Sequence, residues 1–208
     1  MIALLGEAAW EFPIPLVAVG NGWRFDVEAG REEITNRRVG RNELSTIATL
    51  REMVDAQREY AAEGRDGHPP AFASRLLSTP GRHDGLYWPV AEGEPESPLG
   101  EFVAAAAEEG YRSGEAPIPY HGYHYRLLTA QGACAPGGPR DYLDAEGLLT
   151  GGFAVIAWPA TYGSSGVMTF QVNRQGIVFQ KDLGPGTRDA VAAIRAYDPD
   201  GSWTPTSD

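Results

Sequence analysis

The chain has 208 residues, enough for one ordinary domain or one domain with a small appendage. Its 26 glycines and 16 prolines are balanced by 42% AVILMFWYC residues, which excludes a disordered tail or a collagen-like rod and predicts a loop-rich globular body. A net charge of −11 repels phosphate backbones and anionic lipid, so nucleic acid is not expected as a partner.

The opening reads as strands. Ile2 to Leu5 is a short candidate, and Trp10 to Val19 is apolar but interrupted by Pro13 and Pro15, which fits an edge strand. Gly20-Asn21-Gly22 is a hairpin turn, because Asn and Gly accept positive φ, and Trp23 to Val27 is its return strand. The longest helical pattern runs from Glu32 to Glu63, with Ile47, Leu50, Val54 and Ala61 on one side and Met53, Gln57 and Tyr60 flanking them. A break near Gly40, with Asn42 capping a second stretch, fits the pattern. Arg31, Arg37, Arg38 and Arg41 form a basic cluster at the start of this helix, read as a solvated or acid-paired face.

Residues 64–97 are loop-rich. The pattern predicts a short helix over Ala71–Leu77, turns at Thr79-Pro80-Gly81 and His83-Asp84-Gly85, and an apolar anchor at Leu86-Tyr87-Trp88-Pro89. Ser97-Pro98 begins a second helix that Gly110 stops. From Tyr120 the period becomes two. His121 to Gln131 alternates, Gly152 to Trp158 is apolar on both faces as a central strand should be, and Val167–Val172 and Ile177–Leu183 flank the turn Asn173-Arg174-Gln175-Gly176. A helix over Thr187–Ala196 and a docked Trp203 close the chain. Helix followed by runs of strand is an α+β order: a long helix, then a four-strand antiparallel meander.

No stretch approaches the roughly 18–20 apolar residues of a membrane span, and MIALLGEAAW lacks the basic start of a signal peptide. The single cysteine, Cys134, allows no intramolecular disulfide and no Cys-based zinc site. Dinucleotide, P-loop and zinc-protease motifs are absent, so no cofactor, metal or catalytic residue is expected from motifs. Tyr162-Gly163-Ser164-Ser165-Gly166 has the wrong spacing for a nucleophile elbow and reads as a hairpin loop. His121 and His124, three apart on one strand, point to opposite faces and cannot chelate one metal without a bulge. Asp141 and Asp144 are a candidate pair for a cation, with backbone carbonyls, in the 137–151 loop. His83, Asp84, Tyr87, Trp88, His121, Tyr123, His124 and Tyr125 remain as candidate ligand-binding residues, with packing and an Asx-turn at His83-Asp84 as the competing readings.

Several phrases resemble an uncharacterised bacterial family, domain of unknown function 2950. Among them are Phe12-Pro13-Ile14-Pro15-Leu16-Val17, Asn36-Arg37-Arg38-Val39-Gly40-Arg41-Asn42-Glu43, Asp84-Gly85-Leu86-Tyr87-Trp88-Pro89, Tyr120-His121-Gly122-Tyr123 and Lys181-Asp182-Leu183-Gly184. The resemblance implies an exported protein, periplasmic or extracellular, with envelope proteins or a small ligand as partners. It also implies that residues 1–30 are a β-hairpin remnant of a preceding segment and that 31–208 form the main domain. Leu50 to Tyr60, a Gly-rich loop and a meander ending in Asn173-Arg174-Gln175-Gly176-Ile177-Val178 further resemble the globular part of type IV pilins and type II secretion pseudopilins. That second resemblance implies a pilin-like fold. Pilins need an apolar N-terminal half-helix, however, and Arg31 to Glu43 is highly charged, so pilin-type polymerisation is not expected.

Three functions stay open at this level. The first is a non-enzymatic soluble cell-envelope protein that binds or scaffolds. The second is a small-ligand or glycan binder using Tyr, Trp and His. The third is an enzyme with an unfamiliar His/Asp site.

Overall fold

A computed structural model describes residues 1–62, 70–90, 96–99 and 119–207. The chain opens with two small antiparallel hairpins, β1 (Leu4–Leu5) with β2 (Trp10–Glu11) and β3 (Leu16–Val19) with β4 (Gly22–Phe25). The expected Trp10–Val19 strand is therefore cut in two. Pro13 and Pro15 carry no N–H for a ladder, and the break falls on them. Val19 faces Gly22 across the Gly20-Asn21 turn, with Gly20 at φ +60.

Helix α1 (Val27–Ala62) has 36 residues, about 54 Å at 1.5 Å per residue. It starts five residues before the pattern suggested and runs across position 30 without interruption. The Asp26 carboxylate accepts the Ala29 amide at 3.3 Å, an N-cap that sets this start. The helix does not break at Gly40, where a Cβ would meet open space. Asn42 is not a cap; its amide nitrogen donates to the Ser165 carbonyl at 2.8 Å. Beyond Leu44 the helix buries Thr46, Leu50, Met53, Val54, Gln57 and Tyr60. Before it, Gly30 alone is buried, and a Cβ there would come within 2.7 Å of Ile14 Cγ1.

The predicted helix over Ala71–Leu77 is extended chain instead. Gln57 accepts the Ala73 amide at 2.8 Å and donates to the Ala73 carbonyl at 3.0 Å, as a neighbouring strand would. β5 (Arg75–Leu77) then pairs in parallel with β6 (Gly85–Tyr87). These long-range partners override the local helical spacing. The helix expected after Ser97 lies, beyond Leu99, outside the described residues.

The main sheet has five antiparallel strands in the order β13-β12-β11-β10-β7: β7 (Tyr123–Leu128), β10 (Ala154–Pro159), β11 (Met168–Asn173), β12 (Phe179–Asp182) and β13 (Thr204–Pro205); the expected four strands gain a fifth because the tail residues Thr204 and Pro205 pair with Gln180 and Phe179. A small ladder, β8 (Ala130–Gln131) with β9 (Arg140–Asp141), sits between β7 and β10 in the chain. Strand β10 is paired on both sides and almost wholly buried, as its two apolar faces require. The architecture is α+β, with one long helix and several antiparallel sheets.

Alternation divides the sheet into two faces. Tyr123, Val155, Ala157, Phe170 and Val172 pack inward against Leu50, Met53 and Val54 of α1. Leu128, Ala154 and Ile156 pack outward against Tyr142, Leu149, Tyr197 and Val191 of the closing helix α2 (Thr187–Ala193). Trp203 docks as expected, 8% exposed, with Lys181 Nζ 5.9 Å from its ring centre.

Candidate functional site

The eight candidate residues divide among three places. His83 and Asp84 lie in the turn after β5, Tyr87 ends strand β6 and Trp88 follows it. The His83 ring lies 4.5 Å from that of Trp88, and the His83 carbonyl accepts the Tyr60 hydroxyl at 2.5 Å. Trp88 is 3% exposed, and Tyr87 packs half-buried on the same core. Asp84 accepts the Thr79 amide at 2.7 Å and the Thr79 hydroxyl at 2.8 Å, with Arg75 Nε 3.8 Å away. Partial burial raises the Asp84 carboxyl, but the Thr79 bonds and the Arg75 charge outweigh it and hold it below the usual aspartate value. Its carboxylate is engaged in organising a turn.

His121 is not on a strand. Tyr120 and Tyr123 exchange backbone hydrogen bonds around His121 (φ +49) and Gly122 (φ +73), a two-residue turn with both residues left-handed. The His121 ring lies 4.1 Å from Tyr120. Tyr123 is fully buried beside Phe170, and its hydroxyl donates to the Met168 carbonyl at 2.9 Å. Burial, then the nearby Glu43 charge, pushes its phenol far above the ordinary value. Tyr125 is half-buried under α1, with its hydroxyl 3.4 Å from that of Thr46.

His124 faces the other way. Its strand partner on β10 is Trp158, and the two rings lie 5.6 Å apart. Two residues further along β7, Arg126 shares that face. Its guanidinium carbon lies 5.8 Å from the Trp158 ring centre, and its Nη2 donates to the carbonyls of Val191 (2.8 Å) and Ile194 (2.7 Å), closing the C-terminal end of α2. Arg126 Nε is buried and has no hydrogen-bond partner. Burial, then the charge of Arg195, lowers the Arg126 guanidinium from its usual value.

These side chains wall a half-open cleft of about 380 Å³ between the sheet's outer face and α2. Pro159, Ala160, Val191 and Ala192 supply apolar walls, and Arg188 from the first turn of α2 supplies a second guanidinium. None of the described residues lining the cleft is acidic, although the chain carries 28 acidic residues. Of the eight candidates, His124 alone lines it. Sequence reading missed Arg126, Trp158 and Arg188. The period of two on β7 could have paired Arg126 with His124, but the register that sets Trp158 opposite His124 is not written in either strand.

The other chemical candidates are tied into loops. Asp144 accepts the amides of Glu146 and Leu148 and the hydroxyl of Thr150, and Asp141 accepts the amide of Leu143. Among the described residues, no group of three or more His, Cys, Asp or Glu is placed to hold a metal. Ser165 bonds both the amide and the carbonyl of Thr161 within the loop expected there. Cys134 is exposed, but the adjacent Asp198 carboxylate, with slight burial and Asp200 behind it, raises its thiol and leaves a poor nucleophile. The basic cluster is largely paired: Arg31 with Glu28, Arg37 with Glu33 and Glu11, while Arg38 donates to Ser164. No described helix is long and apolar enough to cross a membrane.

Residues 1–206 match the family described as protein of unknown function DUF2950. The chain belongs to this family. No curated protein and no solved structure matches it. The DUF2950 match runs through the hairpins, α1 and the sheet alike, so the cleft lies inside the family's own span.

Proposed function

We propose that this protein acts by binding, as a non-enzymatic, soluble component of the bacterial cell envelope with a pilin-like body. The envelope location follows from the family resemblance set out above, and the pilin-like reading from the order of long helix and antiparallel meander. One observation carries the binding function: the cleft of His124, Arg126, Trp158 and Arg188, where cationic and aromatic groups converge around open volume. This composition supports recognition, and its described lining residues include no Ser, Thr or Cys to pair with His124 as nucleophile and base. The charged N-terminal half of α1 separates this protein from filament-forming pilins. Sedimentation should find discrete small species and no filaments.

The test is a titration of the isotopically labelled protein with pools of anionic, neutral and cationic small molecules, read by amide and side-chain NMR shifts. Shifts clustered around 124–126, 158–160 and 188–192 are expected. Shifts elsewhere alone, or conversion of a pool member to product, would overturn the binding reading.

A further inference from the structure

We propose that the cleft beside α2 takes a small organic carboxylate with a flat, apolar body. This inference rests on the binding reading above and adds the ligand's chemistry. The hydrogen-bonding roles of the walls select the ligand. A guanidinium has only donors, and so does an indole. Arg126, Arg188 and Trp158 therefore offer donors and no side-chain acceptor, no acidic side chain among the described lining residues supplies one, and the imidazole of His124 adds a single acceptor nitrogen at most. A neutral sugar needs acceptors as well as donors for its hydroxyls, so this wall suits it badly. An acceptor-rich anion fits it.

The charge to be matched is small. Arg126 has part of its guanidinium engaged at the end of α2, and its remaining Nε is buried without a partner. Arg188 is exposed and makes no hydrogen bond or ion pair among the described residues. One buried donor, Arg126 Nε, and the guanidinium of Arg188 suit a single carboxylate, which the planar fork of Arg188 meets with two parallel bonds. A phosphate dianion calls for more donors than this. The rest of the wall is apolar: the Trp158 face, Pro159, Ala160 and Val191. A flat body can lie on the indole while its carboxylate meets the arginines. A volume of about 380 Å³ suits a ligand of one or two rings. The carboxylate could belong to a free small molecule or to the C-terminus of a peptide.

The experiment is an NMR and calorimetric titration of the intact chain with five probes. They are benzoate, indole-3-carboxylate, benzamide, phenyl phosphate, and an N-acetyl dipeptide ending in a free phenylalanine carboxylate. Both small carboxylates should bind and shift the 124–126, 158–160 and 188–192 signals, with benzamide at least roughly 10-fold weaker because its charge is gone. Arg188→Gln should weaken the carboxylates by roughly 10-fold or more, since it removes a charge-assisted bond. Because Arg188 is exposed, the variant should fold, which circular dichroism checks. Trp158→Leu should weaken indole-3-carboxylate more than benzoate. Tighter binding of the dipeptide would place the carboxylate on a chain end, and tighter binding of the free acids would place it on a small molecule; either supports the inference. Equal or tighter binding of benzamide or phenyl phosphate at the same signals would overturn the carboxylate assignment and leave the binding function standing. No shift at the cleft with any of the five probes would overturn the carboxylate assignment, while the binding function stands or falls on the pooled titration above.

Discussion

The two halves of helix α1 have the same backbone and different tasks. From Thr46 to Tyr60 the helix is a core element, with Leu50 and Met53 fully buried against the sheet. From Val27 to Leu44 it is a strut: Gly30 is its one buried residue, Ile34 and Leu44 are exposed, and the two hairpins lie at its start. Most of the large apolar side chains exposed among the described residues belong to this strut and its hairpins, including Leu4, Trp10, Trp23 and Phe25. Helix formation is thus shared along α1, while burial is not. Most helical stability comes from the packed face, so the second half should anchor the first.

The largest expected effect tests that difference directly. Leu50→Ala should cost about 2–5 kcal/mol, the loss of a buried side chain plus its cavity. Leu44→Ala, six residues earlier and exposed, should fall within about 0.5 kcal/mol of the parent. Urea unfolding of both variants compares the halves, and similar losses would remove the distinction. Gln57→Leu comes next. It leaves the buried Ala73 amide and carbonyl without their partner, at about 1–3 kcal/mol for each unsatisfied group. Its signature should be faster hydrogen exchange over residues 70–77 than over the strut.

These two residues also show what could be read from the chain. Leu50 and its neighbours were legible, because burial at 3.6-residue spacing leaves a pattern in one local segment. Strands β7, β10, β11 and β12 and the hairpin turns were legible for the same local reason, whereas the two-residue β13 leaves no such pattern. The false helix over Ala71–Leu77 was not, since what decides it is a side chain 16 residues earlier. The unbroken path through Gly40 escaped as well. Asn42 and Glu43 lock onto the 161–168 loop more than 120 residues away, and so stiffen the helix where local signals favour a stop. The cleft depended on the same kind of information. Arg126, Trp158 and Arg188 come from three elements that only register and packing bring together.

That lock gives the third expectation. Glu43 accepts the amides of Val167 (2.9 Å) and Met168 (3.0 Å) at the junction of the two halves. Glu43→Ala should cost about 1–2 kcal/mol, with exchange at those two amides accelerated most. An equal acceleration throughout α1 would show that the halves do not separate there.

A smaller effect is expected from pH, at the end of the anchored half. Asp84 sits in the turn whose His83 carbonyl receives the Tyr60 hydroxyl. Its carboxyl lies below the ordinary value when folded, so the folded state binds its proton less readily than the unfolded chain does. Its contribution is therefore present above the ordinary aspartate pKa of about 3.9 and is lost as pH falls through the lower folded value. Asp84→Asn should be less stable than the parent at neutral pH by about 1 kcal/mol, and the gap should close in acid. A gap that stays constant from neutral pH down to acid would mean that charge is not what holds the turn.

The smallest effect on global stability should come from Gly30, and it is the sharpest test of the strut. Gly30 lets Ile14 lie directly on the helix, and a Cβ in that space would collide with the Ile14 side chain. Gly30→Ala gains helix propensity worth about 1 kcal/mol but forces Ile14 away. If the hairpins hang on the strut without supporting the core, the unfolding midpoint should move little, because the propensity gain offsets a purely local loss. Limited proteolysis should then cut within residues 1–25 faster than in the parent, while the sheet stays resistant. If the hairpins instead belong to the same cooperative unit as the sheet, the substitution must lower the midpoint and speed cleavage everywhere. The two halves of α1 would then differ in exposure alone and not in stability.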